Sequence, residues 1–329
     1  MLAVMCEEFG PPEDLNLKEI PDVTPGKGQV RIKIEACGVN FPDTLIIENK
    51  YQFKPDLPFS PGGEVAGTID ALGEDVTNAK IGEKVMAMTL SGGFAEQIIV
   101  DESALLRRPS SMPGDIAAAF TMTYGTSMHA LKQRGRLQPG ETLLVLGAGG
   151  GVGLAAVEIG ALMGAKVIAA ASSEEKLAAA KSAGATEFIN YSTQDLRTRI
   201  KEITGGNGVD VFYDPVGGDM FEKALRSTAW GGRGLVVGFA AGEIPKIPIN
   251  LALLKGCDIV GVFWGAFRLR QTELDNQNFA QLFAWYEAGK LKPYISASYP
   301  LDQAVVALNA LKNRQVVGKV VLTTAALEV

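Results

Sequence analysis

The sequence predicts an α/β protein, a doubly wound parallel sheet joined to a second, mainly β domain, and three observations carry that reading. Residues 1 to about 113 read as short strands and turns. After Gly114 the pattern becomes an apolar run, a Gly or Ser turn and a helix, repeated along the chain. The length, 329 residues, exceeds what one hydrophobic core usually serves.

In the first segment, Gln29-Val30-Arg31-Ile32-Lys33-Ile34-Glu35 alternates with period two, the mark of a half-buried strand. Pro25-Gly26, Pro61-Gly62-Gly63 and Ser91-Gly92-Gly93 set the turns. Six strands follow near 142–147, 166–171, 187–190, 209–213, 234–239 and 258–263. Thr142-Leu143-Leu144-Val145-Leu146 and Lys166-Val167-Ile168-Ala169-Ala170 are almost continuously apolar, as strands are when helices cover both faces of a sheet. Ser172 or Ser173 before Glu174-Glu175, and Ser192 before Gln194-Asp195, mark helix starts, because a short side-chain oxygen caps free amides. Beyond 264 the pattern predicts helices over 272–288 and 302–313 and a closing strand over 318–322.

The net charge is −6 with no dense basic stretch, so the sequence predicts neither a nucleic-acid nor a membrane partner and points to a small molecule. Cys6, Cys37 and Cys257 form no CxxC pair, and His129 is the single histidine, which leaves no readable zinc cluster and predicts a metal-free chain. The N-terminus lacks the basic and apolar regions of a secretory signal, and the longest uncharged run, residues 143–157, is short and broken by glycines. A cytoplasmic enzyme is the expectation.

The first apolar strand runs into Gly147-Ala148-Gly149-Gly150-Gly151-Val152-Gly153 and then a helix. Glycines let the backbone approach a pyrophosphate, and the helix N-terminus offers unpaired N–H groups and a positive dipole end. Gly150, Gly151, Val152 and Gly153 are the predicted phosphate contacts, although Ala148 stands at the first position of the GxGxxG frame. About 20 residues on, where an acid usually binds a ribose 2′-hydroxyl, stand Ser172 and Ser173, with Lys176 one turn later and Tyr191 closing the third strand. These neutral and cationic groups suit a 2′-phosphate and predict NADPH. The alternative makes Ser173 an N-cap and Lys176 a solvated charge, with Glu174 or Glu175 reaching the ribose.

These residues resemble the zinc-free quinone oxidoreductase (zeta-crystallin-like) branch of the medium-chain dehydrogenase/reductase superfamily. The likeness spans nearly the whole chain. It is carried by Ala36-Cys37-Gly38-Val39-Asn40-Phe41-Pro42-Asp43, Pro61-Gly62-Gly63-Glu64-Val65-Ala66-Gly67, Gly93-Phe94-Ala95-Glu96, Gly150-Gly151-Val152-Gly153, Ser172-Ser173-Glu174-Glu175-Lys176 and Gly318-Lys319-Val320-Val321. The resemblance implies a GroES-like catalytic domain from 1–118 with 265–329 and a Rossmann domain from 119–264. Zinc enzymes of the superfamily place a ligand Cys where this chain has Asn40 and a ligand His where it has Gly63.

The resemblance further implies NADPH-dependent hydride transfer to a quinone, in a homodimer formed through the edge strand near 258–263. Its alternatives are reduction of the C=C bond of an enone, haloacrylate or enoyl-CoA ester, and a nucleotide-binding structural or sensing protein with little turnover. A quinone or conjugated carbonyl is already electrophilic, so positioning and a proton source replace a Lewis acid. Asn40 and Tyr51 are the catalytic candidates, each able to hydrogen-bond a substrate carbonyl. Tyr51 packing on Phe53 or Phe59, and Asn40 as a turn residue, are the structural alternatives. Cofactor contacts implied by the likeness are Asn40, Thr123, Val237, Gly238, Phe239, Val262, Phe263, Trp264 and Arg314. Trp264 lines the substrate site or fills an interface. His129 is expected as a packed helical residue and Cys37 as a buried, inert thiol.

Overall fold

The structure, a computed structural model, describes residues 1–324. It divides into two compact units, Met1–Met122 with the segment from Ile295 onward, and Thr123–Tyr294. Among the described residues no helix is long and apolar enough to cross a membrane.

The first unit is built on a seven-stranded sheet in the order Ile295–Pro300, Lys319–Thr323, Gln29–Val39, Glu64–Leu72, Lys84–Met88 and Leu105–Arg107, with Gln97–Asp101 paired to Gln29–Val39 off that path. Its pairs are antiparallel except the first, Ile295–Pro300 with Lys319–Thr323. The alternation read at 29–35 is real: Val30, Ile32 and Ile34 are buried and Lys33 is exposed. From Ala36 to Val39 burial becomes continuous, because Lys319–Thr323 lies on one side and Glu64–Leu72 on the other. Gly38 pairs with both Glu64 and Val321. A Cβ at Gly38 would lie 2.1 Å from the Ala118 carbonyl oxygen, so only glycine lets the Gly114–Ala118 helix pack there.

The second unit holds a wholly parallel six-stranded sheet in the order Glu187–Asn190, Lys166–Ala171, Thr142–Leu146, Val209–Asp214, Thr228–Val236 and Asp258–Gly261. In sequence order these are strands 3-2-1-4-5-6, the doubly wound arrangement, whose order reverses between the first and fourth strands. Leu144, Leu146, Ile168, Ala170 and Phe212 pack with Phe221 and Leu225 in one buried cluster.

The structure moves two boundaries. The fifth strand runs Thr228–Val236 rather than 234–239, so residues 237–239 lie beyond its end. Gly234 is needed in the strand, since a Cβ there would meet the Phe212 ring at 2.2 Å. Residues 265–294, expected with the β-rich domain, cluster instead with the parallel-sheet unit. The reason is packing. Trp264, at the start of Trp264–Arg270, donates to Asp275 at 2.8 Å, its ring stands 6.4 Å from Phe279, and Asn278 bonds Gln133 and Lys132. Residues 325–329 of the expected domain lie outside the described residues.

Arg233 ties the fifth strand to the segment before the first. It donates to Glu141 through two nitrogens at 2.7 Å, to the Gly135 oxygen at 2.8 Å and to the Arg136 oxygen at 3.2 Å. Arg233→Ala leaves a carboxylate and two carbonyls without these donors, and is expected to lower unfolding stability by about 2–4 kcal/mol. Urea melts followed by circular dichroism measure it, and a loss within about 0.5 kcal/mol would contradict the role.

Candidate active site

In the second unit the predicted residues gather at the carboxyl ends of the parallel strands. Leu146 ends the first strand, and Gly147 turns the chain with φ of +59°, a left-handed conformation that glycine adopts without strain. Helix Gly151–Leu162 starts from Gly150 with no side chain capping it, which leaves its first amides for a ligand. A Cβ at Gly153 would come within 2.2 Å of the Gly147 oxygen, so glycine is required for the helix to pack against the turn. A Cβ at Gly149 would reach within 2.4 Å of Lys176 Cβ, which places the Lys176 stem across the glycine turn.

The second strand ends at Ala171, and Ser173 caps helix Glu174–Ser182 by accepting from the Lys176 amide at 3.4 Å. The N-cap alternative for Ser173 is therefore realised. Ser172 accepts through its carbonyl from Ser192 Oγ at 2.9 Å, which fixes the loop between the second and third strands. Glu174 takes the Asn190 side-chain amide at 2.7 Å. Tyr191 follows the third strand directly, its amide donating to the Ala171 oxygen at 3.1 Å, and its ring packs on the apolar cluster.

On the other side of the order reversal, Val237 and Gly238 donate to the Asp214 oxygen at 2.9 and 3.3 Å, and Val262 donates to the Val236 oxygen at 2.9 Å. Phe263 is 54% exposed, whereas Trp264 is buried with its N–H committed to Asp275 and its ring against Gly125. Trp264 is thus an anchor of the second unit. Thr123 is buried at the start of that unit. Asn40, Tyr51 and Arg314 belong to the first unit, Arg314 in a left-handed turn (φ +58°) after helix Ala304–Lys312.

Asn40 is the N-cap of helix Phe41–Ile46 and sits in a buried polar knot. Its amide nitrogen donates to Glu64 Oε2 at 2.9 Å and to the Gly38 oxygen at 3.3 Å, and its Oδ1 accepts from Lys319 Nζ at 2.6 Å. Lys319 Nζ also donates to Glu64 Oε2 at 3.1 Å and the Val39 oxygen at 3.0 Å, while Glu64 Oε1 accepts the Met122 amide at 2.7 Å. Both side-chain N–H groups of Asn40 are therefore engaged. Hydrogen-bonding a substrate carbonyl, the role expected for it, would break one of these bonds.

Asp43 completes the capping box by accepting the Asn40 backbone N–H at 2.7 Å. Burial pushes its carboxyl up to about 7, raised further by Glu64 and opposed by the Asn40 bond and Lys319. Tyr51 is half-buried, its ring 6.2 Å from Phe53. Burial, with Asp43 nearby, raises its phenol above the ordinary value, so it is a neutral donor and a poor acid. Burial also pushes the Cys37 thiol well up, which fits an inert residue. His129 is buried, stacked on Phe267 at 3.8 Å, and pushed down to about 4 chiefly by burial, as a packed residue should be.

Four residues were not assigned a role from sequence: Asp43, Glu64, Lys319 and Asp214. The first three lie in stretches that carry the family likeness, yet nothing local says that 40, 64 and 319 meet. Asp214 ends the fourth strand, where its Oδ1 takes the amides of Val216 and Gly217 at 2.7 and 3.0 Å and its buried Oδ2 has no hydrogen-bond partner among the described residues. Its signal was Asp214-Pro215-Val216-Gly217-Gly218, an acid and a glycine turn at a strand end.

Comparison with known proteins bears on this geometry. Residues 26–110 match the alcohol dehydrogenase GroES-like domain family, and residues 151–285 match the zinc-binding dehydrogenase family. The chain is 42% identical over 325 residues to a quinone oxidoreductase-like protein 2 homolog of Nematostella vectensis, covering 98% of this chain and 88% of that one. A quinone oxidoreductase from Pseudomonas syringae superposes with a TM-score of 0.91 at 31% identity, over 98% of this chain and 99% of the other. The Escherichia coli quinone oxidoreductase complexed with NADPH gives 0.91 at 28% identity, over 98% and 100%.

Asp43 supplies a pH test. Its folded carboxyl titrates near 7 rather than its usual 3.8, so its protonated form favours the folded state. That contribution is full below about pH 4 and is lost as pH rises through about 7. Asp43→Asn keeps an oxygen for the Asn40 N–H, and its melting temperature is expected to fall less than wild type's between those pH values. Parallel curves would exclude Asp43 as the titrating group.

Proposed function

Because this chain belongs to the quinone oxidoreductase branch of the medium-chain dehydrogenase/reductase superfamily, we propose that it is an NADPH-dependent enzyme that reduces quinones. The observation that carries the reading is the glycine turn at the sheet's order reversal, with Lys176 lying across it and Ser172 where an acid would select a ribose hydroxyl. The open helix N-terminus at Gly151–Gly153 receives the pyrophosphate, and Ser172, Ser173 and Lys176 receive the 2′-phosphate. Of the two alternative ribose ligands, Glu174 and Glu175, the first accepts from the Asn190 side chain through one oxygen.

NADPH supplies the hydride when bound. The chain's part is to hold and orient. Within the second unit, Thr123 and residues 237–239 and 262–263 line the nicotinamide end. Tyr51 donates to the acceptor carbonyl as a neutral phenol, and solvent supplies the proton that its weakened acidity withholds.

A catalytic zinc does not fit these residues. Position 40 is an amide whose oxygen already accepts from an ammonium at 2.6 Å. At position 63 even a Cβ would stand 2.6 Å from the Thr89 oxygen, so no imidazole can enter there. The reading is accordingly zinc-independent.

The edge strand Asp258–Gly261 is paired on one side only within its sheet, and Trp230 (83% exposed), Leu253 (79%) and Ile249 (75%) leave apolar surface in the same unit. A homodimer through this edge covers an otherwise unpaired ladder. Cys6, Cys37 and Cys257 are buried free thiols, in keeping with a reducing, cytoplasmic setting.

Lys176→Ala is expected to weaken NADPH binding by about 1–3 kcal/mol while sparing NADH, read by titration calorimetry. Equal losses for both would sink the 2′-phosphate assignment. NADPH oxidation against a matched panel of quinones, simple enones and short enoyl-CoA esters tests the acceptor, with fast quinone turnover expected and undiminished by a chelator. A saturated product formed faster from an enone or enoyl-CoA would make the protein a double-bond reductase, and NADPH binding with no turnover would favour a sensing role.

A further inference from the structure

At the end of the second parallel strand the charges of the helix start are sorted by side. That strand, Lys166–Ala171, lies between the third and the first. Asn190, the last residue of the third strand Glu187–Asn190, pairs with Ala171, so the turns after the two strands leave the sheet side by side. Helix Glu174–Ser182 begins three residues past Ala171. Positions two apart on a helix are rotated by about 200°, so Glu174 and Lys176 point to opposite sides. Lys176 takes the side of the first strand, where a Cβ at Gly149 would lie 2.4 Å from its Cβ and 2.6 Å from its Cγ. Glu174 takes the side of the third strand, where its Oε1 accepts from Asn190 Nδ2 at 2.7 Å.

Asn190 is itself held so that its nitrogen faces the acid. Its Oδ1 accepts from the Ser192 amide at 3.2 Å, an Asx-type turn, and its backbone N–H donates to Gln194 Oε1 at 3.0 Å. A half-turn of the side-chain amide would set its N–H against the Ser192 N–H and its oxygen against the carboxylate, so one orientation is fixed. A second bridge lies alongside, from Ser192 Oγ to the Ser172 oxygen at 2.9 Å. The turns at 172–174 and 190–192 are therefore joined twice, once through backbone and once through the acid.

We propose that Asn190 is a cofactor-specificity residue, which holds the Glu174 carboxylate on the third-strand side and so withholds an acid from the ribose 2′ position. A carboxylate at that position accepts from a 2′-hydroxyl and selects NADH, and it repels a 2′-phosphate. Glu174 is nonetheless favourable where it stands, because an acid in the first turn complements the helix dipole. Asn190 reconciles the two demands: the helix keeps its N-terminal acid, and the 2′ position is left to the serines and Lys176. The proposal rests on the reading above that Ser172, Ser173 and Lys176 receive a 2′-phosphate.

Dissociation constants of NADPH and NADH, measured at low ionic strength for the wild type, Asn190→Ala, Glu174→Gln and the double variant, test it. Asn190→Ala is expected to lower the preference for NADPH over NADH about 3- to 10-fold, with NADH binding unchanged or tighter, because the released carboxylate meets the phosphate. In the double variant the preference is expected to return to within about twofold of that of Glu174→Gln, since no acid remains to be held. Equal weakening of both cofactors in Asn190→Ala, or the same drop with glutamine already at 174, would overturn the proposal. Glu175→Gln alters the acid that Asn190 does not touch and is expected to leave the Asn190→Ala drop in place. Abolition of the drop by that change would overturn the assignment to Glu174. A wild-type protein without preference for NADPH would end the 2′-phosphate reading and this proposal together, whereas a wild-type preference that Asn190→Ala leaves intact would end this proposal alone.

Discussion

The ion pair between Lys319 and Glu64, 3.1 Å apart and closed to solvent, holds one end of the first unit's sheet together. Burying two charges costs free energy that their attraction offsets only when the remaining hydrogen bonds are made. Here they are made: Val39, Asn40 and Met122 complete the coordination, and Asn40 passes the constraint to Asp43 and so to the start of helix Phe41–Ile46. Gly38, which must be glycine for Glu64 to enter, and Gly63, where a side chain would meet the Thr89 oxygen, belong to the same constraint.

The second unit is governed by its order reversal. The first strand has the second on one side and the fourth on the other, and in open parallel sheets such a reversal is where the loops at the strand ends part and ligands bind. The glycine turn opens at that place, with a Cβ at Gly147 only 2.9 Å from Val216, and Asp214 holds the facing loop through two backbone amides. Lys176 reaches this place because Ser173 starts its helix at the end of the neighbouring strand.

How much was legible follows from the range of each signal. The parallel strands, the Ser173 cap and the glycine turn were readable because their causes are local: apolar runs, short oxygens before a helix, and absent side chains. The allocation of 265–294 was misread because an amphipathic helix shows that it has an apolar face and not which sheet that face covers. Trp264 had two readings until Asp275 and Gly125 were seen to hold it. Asn40 was named by likeness, but the commitment of its amide nitrogen to Glu64 and of its oxygen to Lys319 was invisible, since these lie 24 and 279 residues away.

By itself the sequence determined the fold class, the place of the dinucleotide turn, and the groups at 172, 173 and 176 beside it. It did so because backbone preference and burial pattern act over a few residues. Only the tertiary structure decided that an amide, a carboxylate, an ammonium and a raised carboxyl share one buried volume. Strand register brings 38, 64 and 321 abreast, and register is set by the whole sheet's packing rather than by any segment within it.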